Sequence, residues 1–399
     1  MMEQTWRWFG PDDAITLGEI AQAGATGIVT ALHHVPYGVV WSVDEIARRK
    51  HAIEHDRALD MRWRVVESLP VAEAIKLGEG DLAPLFENYR RSIRNLAALR
   101  VRTICYNFMP VIDWTRTQLA APRPRGGTAL RFNAHEYAAF DCFILKRKDA
   151  EAEQKPEVLA RAKDWVDAAS ESDKKRLLAT IMAGLPGAYD RYDVPGLRRM
   201  LERYAGIDRA TLRANLKRFL QEVVPAAEEA GVALCIHPDD PPRPLFGLPR
   251  IVSTADDLDF IVKAVESPAN GITLCTGSLG AGEGNDLPAM ARWFAPKVFF
   301  AHLRNVTKEP DGSFIEADHL GGDVDIVAVV AALLREQQRR RESGIADWRI
   351  PFRPDHGHEL LDDGRRKTHP GYPLVGRLRG LAELRGVITA VGALNNLPV

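Results

Sequence analysis

The chain has 399 residues, 46% of them hydrophobic and 27% charged, a balance that supports a large buried core and excludes an intrinsically disordered polypeptide. Its 53 Lys and Arg against 54 Asp and Glu leave a formal charge of −1, so no global field attracts nucleic acid or an anionic membrane. Four cysteines without a CxxC pair argue against a disulfide framework, and the opening MMEQTWRWFG lacks the basic and apolar regions of an export signal; both point to the reducing cytosol.

Trp6–Phe9 is the first short apolar run. Thr16-Leu17-Gly18-Glu19 then reads as a capping box opening a helix that stops near Gly24. The stretch from Ile20 to Trp41 has no charged residue, but Gln22, His33, His34 and Pro36 make it helix end, strand (Ile28–Leu32) and loop rather than a membrane span. Ser42-Val43-Asp44-Glu45 caps a second helix with Val43, Ile46, Ala47 and Ile53 on one face. Trp63–Glu67 follows as a strand, and Leu82, Leu85, Phe86, Tyr89, Ile93 and Leu96 mark a longer amphipathic helix before the strand Thr103–Phe108.

Over a hundred residues then separate Phe108 from the next strand, Ala233–His237, far more than one connection needs. Residues 110–210 are expected to form a helical insertion, loop-like near Ala121-Pro-Arg-Pro-Arg-Gly-Gly-Thr and solvated helix from Lys146 to Lys175, acting as a lid or an oligomer contact. Helical periodicity resumes at Leu212, Leu216, Phe219 and Val223, again at Leu258, Ile261, Val262 and Val265, at Ile326, Val329, Val330 and Leu333, and more weakly from Leu381 to Val391. Between these lie Thr273–Cys275, Val298–His302 and Ile350–Asp355. Strands alternating with helices, and apolar enough to be covered on both faces, indicate an α/β fold with a parallel sheet, and the eight candidate strands fit a (β/α)8 TIM barrel forming a single domain over residues 1–399. The alternative is an open doubly wound sheet, but Gly280-Ala-Gly-Glu-Gly-Asn lacks the GxGxxG spacing of a phosphate loop.

Polar, metal-competent residues close four successive strands: His237, Cys275, His302 and Asp355. Strand C-terminal ends converge on one mouth of a barrel, so these four are expected to surround a single ion, with Fe²⁺, Mn²⁺ and Zn²⁺ all compatible with a mixed N/S/O set. Cys235, one layer deeper on its strand, reads as barrel core. His356 follows a candidate ligand directly and is placed for proton transfer, with Tyr372 on the Gly-Tyr-Pro turn as a second acid or base. Arg304, two after His302, is a candidate carboxylate clamp; Asn107 and the His33–His34 pair, His34 above all, are candidate contacts to a polyhydroxylated anion.

The segments HHVPYG, NFMPVIDW, GGTALRF, IHPDDPP, FRPDHGH and HPGYP together resemble mannonate dehydratase over essentially the whole length, the insertion included. The resemblance implies a metal-dependent TIM barrel, a homodimer, that dehydrates D-mannonate to 2-keto-3-deoxy-D-gluconate in hexuronate breakdown. It implies Mn²⁺ or Fe²⁺ on His237, Cys275, His302 and Asp355, and proton transfer by His356 and Tyr372. His369 in HPGY departs from the family pattern, where Asn is expected. The expected chemistry is removal of the C2 proton and loss of the C3 hydroxyl. The alternative is a sugar or sugar-acid isomerase or epimerase on the same barrel, although such sites use more carboxylates than Asp355 alone supplies.

Overall fold

The computed structural model describes residues 1–184 and 192–397. Twelve strands are present among them: β1 (Glu3–Arg7), β2 (Gly27–Thr30), β3 (Arg62–Glu67), β4 (Thr103–Tyr106), β5 (Gln118–Pro122), β6 (Thr128–Phe132), β7 (Ala233–Ile236), β8 (Asn270–Cys275), β9 (Val298–His302), β10 (Val306–Lys308), β11 (Phe314–Glu316) and β12 (Pro351–Arg353). Eight of them close a parallel barrel in the order β1-β12-β9-β8-β7-β4-β3-β2. All eight expected strands are there, most with ends within a residue or two of the sequence reading, and the open-sheet alternative is excluded by closure.

Alternation along the strands sorts their side chains. Ile28, Val66, Ile104, Leu234, Ile272 and Phe352 face outward into the main core under the helices. Val29, Val65, Cys105, Cys235 and Phe300 turn inward and fill the barrel as one packed layer, with Cys105 registered opposite Cys235. The helices that cover the outside begin where their caps say. Thr16 and Glu19 form the complete capping box, and Ser42 accepts from the Glu45 backbone N–H. The helix Ala83–Ala98 packs on Arg209–Glu229, where Tyr89 and Phe219 meet edge to face at 4.9 Å. No helix among the described residues is long and apolar enough to cross a membrane.

The segment between β4 and β7 is not purely helical. Its helices Pro156–Ala168, Glu171–Ile181 and Val194–Arg203 accompany a hairpin, β5–β6, which pairs with β11 and β10 in a four-stranded antiparallel sheet ordered β10-β11-β6-β5. Strands of three residues such as β10 and β11 are too short to show a period in sequence, and β5 ends on a proline. A second core holds this layer together: Phe132 stacks on Phe314, and Tyr137, Phe140 and Phe246 pack beside them. The sheet therefore joins the β4–β7 connection to the β9–β12 connection over the strand ends.

Candidate metal centre

His237 follows β7 directly, Cys275 and His302 are the last residues of β8 and β9, and Asp355 lies two residues beyond β12. The register pairs Cys275 with His302 and His302 with Arg353, which sets three adjacent strand ends level. The ligand atoms of His237, Cys275 and His302 all lie within 4.8 Å of one another. His237 Nε2 is 3.1 Å from His302 Nδ1, and the Asp355 carboxylate reaches to 3.7 Å from Cys275 Sγ and 3.8 Å from His302 Nδ1. His237 Nδ1 lies 2.7 Å from the Pro238 carbonyl, an acceptor for its N–H, so Nε2 is the nitrogen turned to the centre. Two imidazoles, a thiol and a carboxylate on one locus are the donor types of a mixed divalent-metal site.

The electrostatics favour the ligand forms of the thiol and the carboxyl, whereas Cys275 outweighs burial and raises the His237 imidazole to about 10. Burial pushes the Cys275 thiol up, but Arg304 and hydrogen bonds with His237 and His302 outweigh it and hold the thiol well below its ordinary range. Burial likewise opposes ionisation of Asp355, and Arg353 and Arg304 overcome it, keeping the carboxyl well below the usual range. Arg353 Nη1 is 2.6 Å and Arg304 Nε 2.7 Å from its two oxygens. Asp355 has φ +65°, a left-handed conformation that Asp adopts more readily than most residues.

Beside the centre, His356 Nδ1 is 2.6 Å from Glu316 Oε1, and its ring meets Tyr372 edge-on at 5.1 Å. Glu316 comes from β11, so the accessory sheet delivers the carboxylate that holds this imidazole. Tyr372 is almost fully buried, and burial pushes its phenol up, outweighing the opposite pull of Arg353. His237, Asp355, His356 and Tyr372 share the wall of a small cavity of about 20 Å³. Asn107, Met109 and Asp113 line both it and a larger cavity of about 400 Å³.

Two expectations need correction. Arg304 is not a free carboxylate clamp: its guanidinium bonds Asp355 (2.7 Å), Glu316 (2.8 Å), Asp240 (2.7 Å) and Ser278 (3.1 Å). With Cys275 Sγ at 3.8 Å these make five protein acceptors, so its work is to hold the acids of the site in place. His34 points away from both cavities; its side chain is 56% exposed and lies 2.9 Å from Glu45, whereas His33 lines the larger cavity. Asn107 stands in the cavity wall.

Several buried charges in the site are not among the residues singled out from the sequence. Glu67 binds Arg353 at 2.9 Å and Arg7 at 3.2 Å, and Asp240 binds Arg116 at 2.7 Å. Glu67 ends a strand, the position that marked the four ligand candidates, and the same rule extended to β3 would have found it. Asp240, Arg116 and Glu316 lie on loops or short strands that give no such signal.

The comparisons agree with this architecture. The family model described as D-mannonate dehydratase (UxuA) matches residues 2–397. The chain is 55% identical over 394 residues to the mannonate dehydratase of Chromohalobacter salexigens, covering 98% of this chain and 100% of that one. It is 52% identical over 387 residues to the mannonate dehydratase of a Marinomonas strain, covering 97% and 98%. The crystal structure of mannonate dehydratase from Streptococcus suis serotype 2 superposes with a TM-score of 0.77 at 33% identity, covering 100% of this chain and 95% of that one. A closed barrel with this centre at its mouth, matched over nearly its whole length, belongs to the D-mannonate dehydratase family, hydro-lyases that remove water from D-mannonate.

Proposed function

We propose that this chain converts D-mannonate to 2-keto-3-deoxy-D-gluconate and water with His356 and Tyr372 as its proton-transfer pair, beside Mn²⁺ or Fe²⁺ held by His237, Cys275, His302 and Asp355. The observation that carries this reading is the convergence of His237, Cys275, His302 and Asp355 at one locus of the barrel mouth, with His356 and Tyr372 beside His237 and Asp355 on the wall of one small cavity. The donor set fits a divalent ion, which when bound supplies positive charge to the anion that develops as the weakly acidic C2 proton leaves.

The protein's own groups divide the remaining work. Glu316 accepts from His356 Nδ1–H, which orients the ring and leaves Nε2 with a lone pair toward the cavity. That supports Nε2 as the base for the C2 proton. Burial keeps the Tyr372 phenol protonated, which supports its O–H as the acid that protonates the departing C3 hydroxyl. The C2–H electron pair becomes the C2–C3 double bond, the C3–O bond breaks, and water leaves. The resulting enol takes a proton at C3 to give the 2-keto-3-deoxy acid. Arg304 and Arg353 hold Asp355 ionised throughout, so the carboxylate stays a ligand rather than a competing proton donor.

Solvent exchange tests the division of labour. Tyr372→Phe in D₂O should still exchange the C2 proton while releasing little product, and His356→Asn should do neither while keeping normal metal content. Exchange in the histidine variant and none in the tyrosine variant would reverse the two roles. All four cysteines are unpaired and buried, which supports operation in a reducing compartment such as the cytosol. A homodimer is the proposed assembly, to be read by light scattering.

A further inference from the structure

The carboxylates around the centre have cationic partners, with one exception. Glu67, Asp240, Glu316 and Asp355 each lie within 4.0 Å of at least two cationic or imidazole nitrogens. Asp113, seven residues beyond β4, has none at that distance among the described residues. Its Oδ1 accepts only the backbone N–H of Trp114, at 2.7 Å. The nearest cations are committed elsewhere. Lys76 binds Glu73 and the Met109 carbonyl, and Arg250 donates to the Ile112 carbonyl at 2.9 Å and faces Asp239 at 3.8 Å.

A half-buried carboxylate with spare lone pairs carries a desolvation cost, and the Trp114 N–H and the more distant cations among the described residues offset it only in part. Asp113 is a wall residue of both the small cavity of the metal centre and the larger one. The larger cavity, about 400 Å³, has the size of a small-molecule pocket, and Tyr37, Ser68 and Asn107 give it further polar lining. A sugar acid with its reacting carbons at the metal centre and the rest of its chain in the larger cavity passes Asp113. That end of an aldonate offers hydroxyl donors and no charge, and an ionised carboxylate accepts from such donors.

We propose that Asp113 is a specificity-determining residue that accepts hydrogen bonds from the distal hydroxyls, on C5 or C6, of the open-chain sugar acid. The inference rests on the metal-centred reaction above for the direction in which the substrate lies. Asp113 thereby measures chain length: a full six-carbon aldonate satisfies the carboxylate, and a shorter one leaves it unpaired.

The test measures kcat/KM for wild type, Asp113→Asn and Asp113→Ala on D-mannonate and on the four-carbon aldonate of the same C2 and C3 configuration. Wild-type turnover of D-mannonate reports on the proposed reaction by itself, and the ratios of variant to wild type report on Asp113. On D-mannonate the alanine variant should fall about 10- to 100-fold, mostly in KM, as expected for a hydrogen bond to a charged acceptor. On the four-carbon acid both variants should stay within about threefold of wild type. An equal loss on both substrates would place Asp113 at the reacting carbons, and no loss on either would leave it facing water; each outcome overturns the proposal. Asn keeps the acceptor for Trp114 N–H, so it serves as the readout if alanine impairs folding, with metal content and thermal unfolding as controls.

Discussion

Glu316 links the accessory sheet to the centre, and removing its charge should leave a pH-dependent mark on stability. Burial alone would raise its carboxyl, but His356, Arg304 and Arg116 outweigh that and lower it to about 2 from an ordinary 4.5. A carboxyl depressed in the folded state contributes stability that is complete above its unfolded value and is lost as pH falls toward the folded one. The window is therefore pH 4.5 down to 2, and the shift corresponds to about 3 kcal/mol at neutral pH. Breaking one partner of a buried charge cluster costs a similar ~3–5 kcal/mol. Urea unfolding of chelator-treated wild type and Glu316→Gln at pH 7, 5, 4 and 3 isolates this residue from the other acids. The variant should be less stable by about that amount at pH 7, and the gap should narrow steadily below pH 4.5. A gap that stays constant to pH 3 would refute the argument that ion pairing holds Glu316 ionised.

Three further outcomes are expected. Cys275→Ser should weaken Mn²⁺ or Fe²⁺ binding by about 100-fold or more, measured by equilibrium dialysis, because a depressed thiol is exchanged for a hydroxyl that stays protonated. His34→Ala should leave kcat/KM on D-mannonate within about twofold of wild type, since surface ion pairs of this kind contribute little and the ring faces solvent; His33→Ala should not be so mild. Leu216→Ala, fully buried where two barrel helices meet, should destabilise the protein by about 2–5 kcal/mol in chemical denaturation while leaving metal affinity intact.

The barrel was legible because its strands, buried on both faces, stand out as β-branched runs between capped helices, and because four of them end in Cys, His or Asp. The same logic failed where no period exists. Alternation runs along β2 only to Thr30, so nothing in the pattern says that His33 turns toward the mouth and His34 away. Arg304 was identified as an anion partner, which it is, but the anions are the protein's own Asp240, Glu316 and Asp355, brought from three separate segments. Long-range charge matching of this kind leaves no trace in a local window. Asp113 escaped notice for the opposite reason: what distinguishes it is that no cation among the described residues pairs with it, and that exists only in three dimensions.

The four-stranded sheet also bears on how this chain tolerates redesign. β6, inside the long connection after β4, pairs with β11, and β11 carries the carboxylate bonded to His356. The excursion from the barrel is thus no detachable module. Trimming residues 110–210 to a short loop would leave a barrel with its strand ends in place, yet β11 would lose one of its two neighbours and Phe314 its stacking partner Phe132. Shortening, circular permutation or domain grafting in this region should therefore be planned around the β6–β11 seam, with loop tips such as 123–127 as the points where cutting and joining disturb the reaction least.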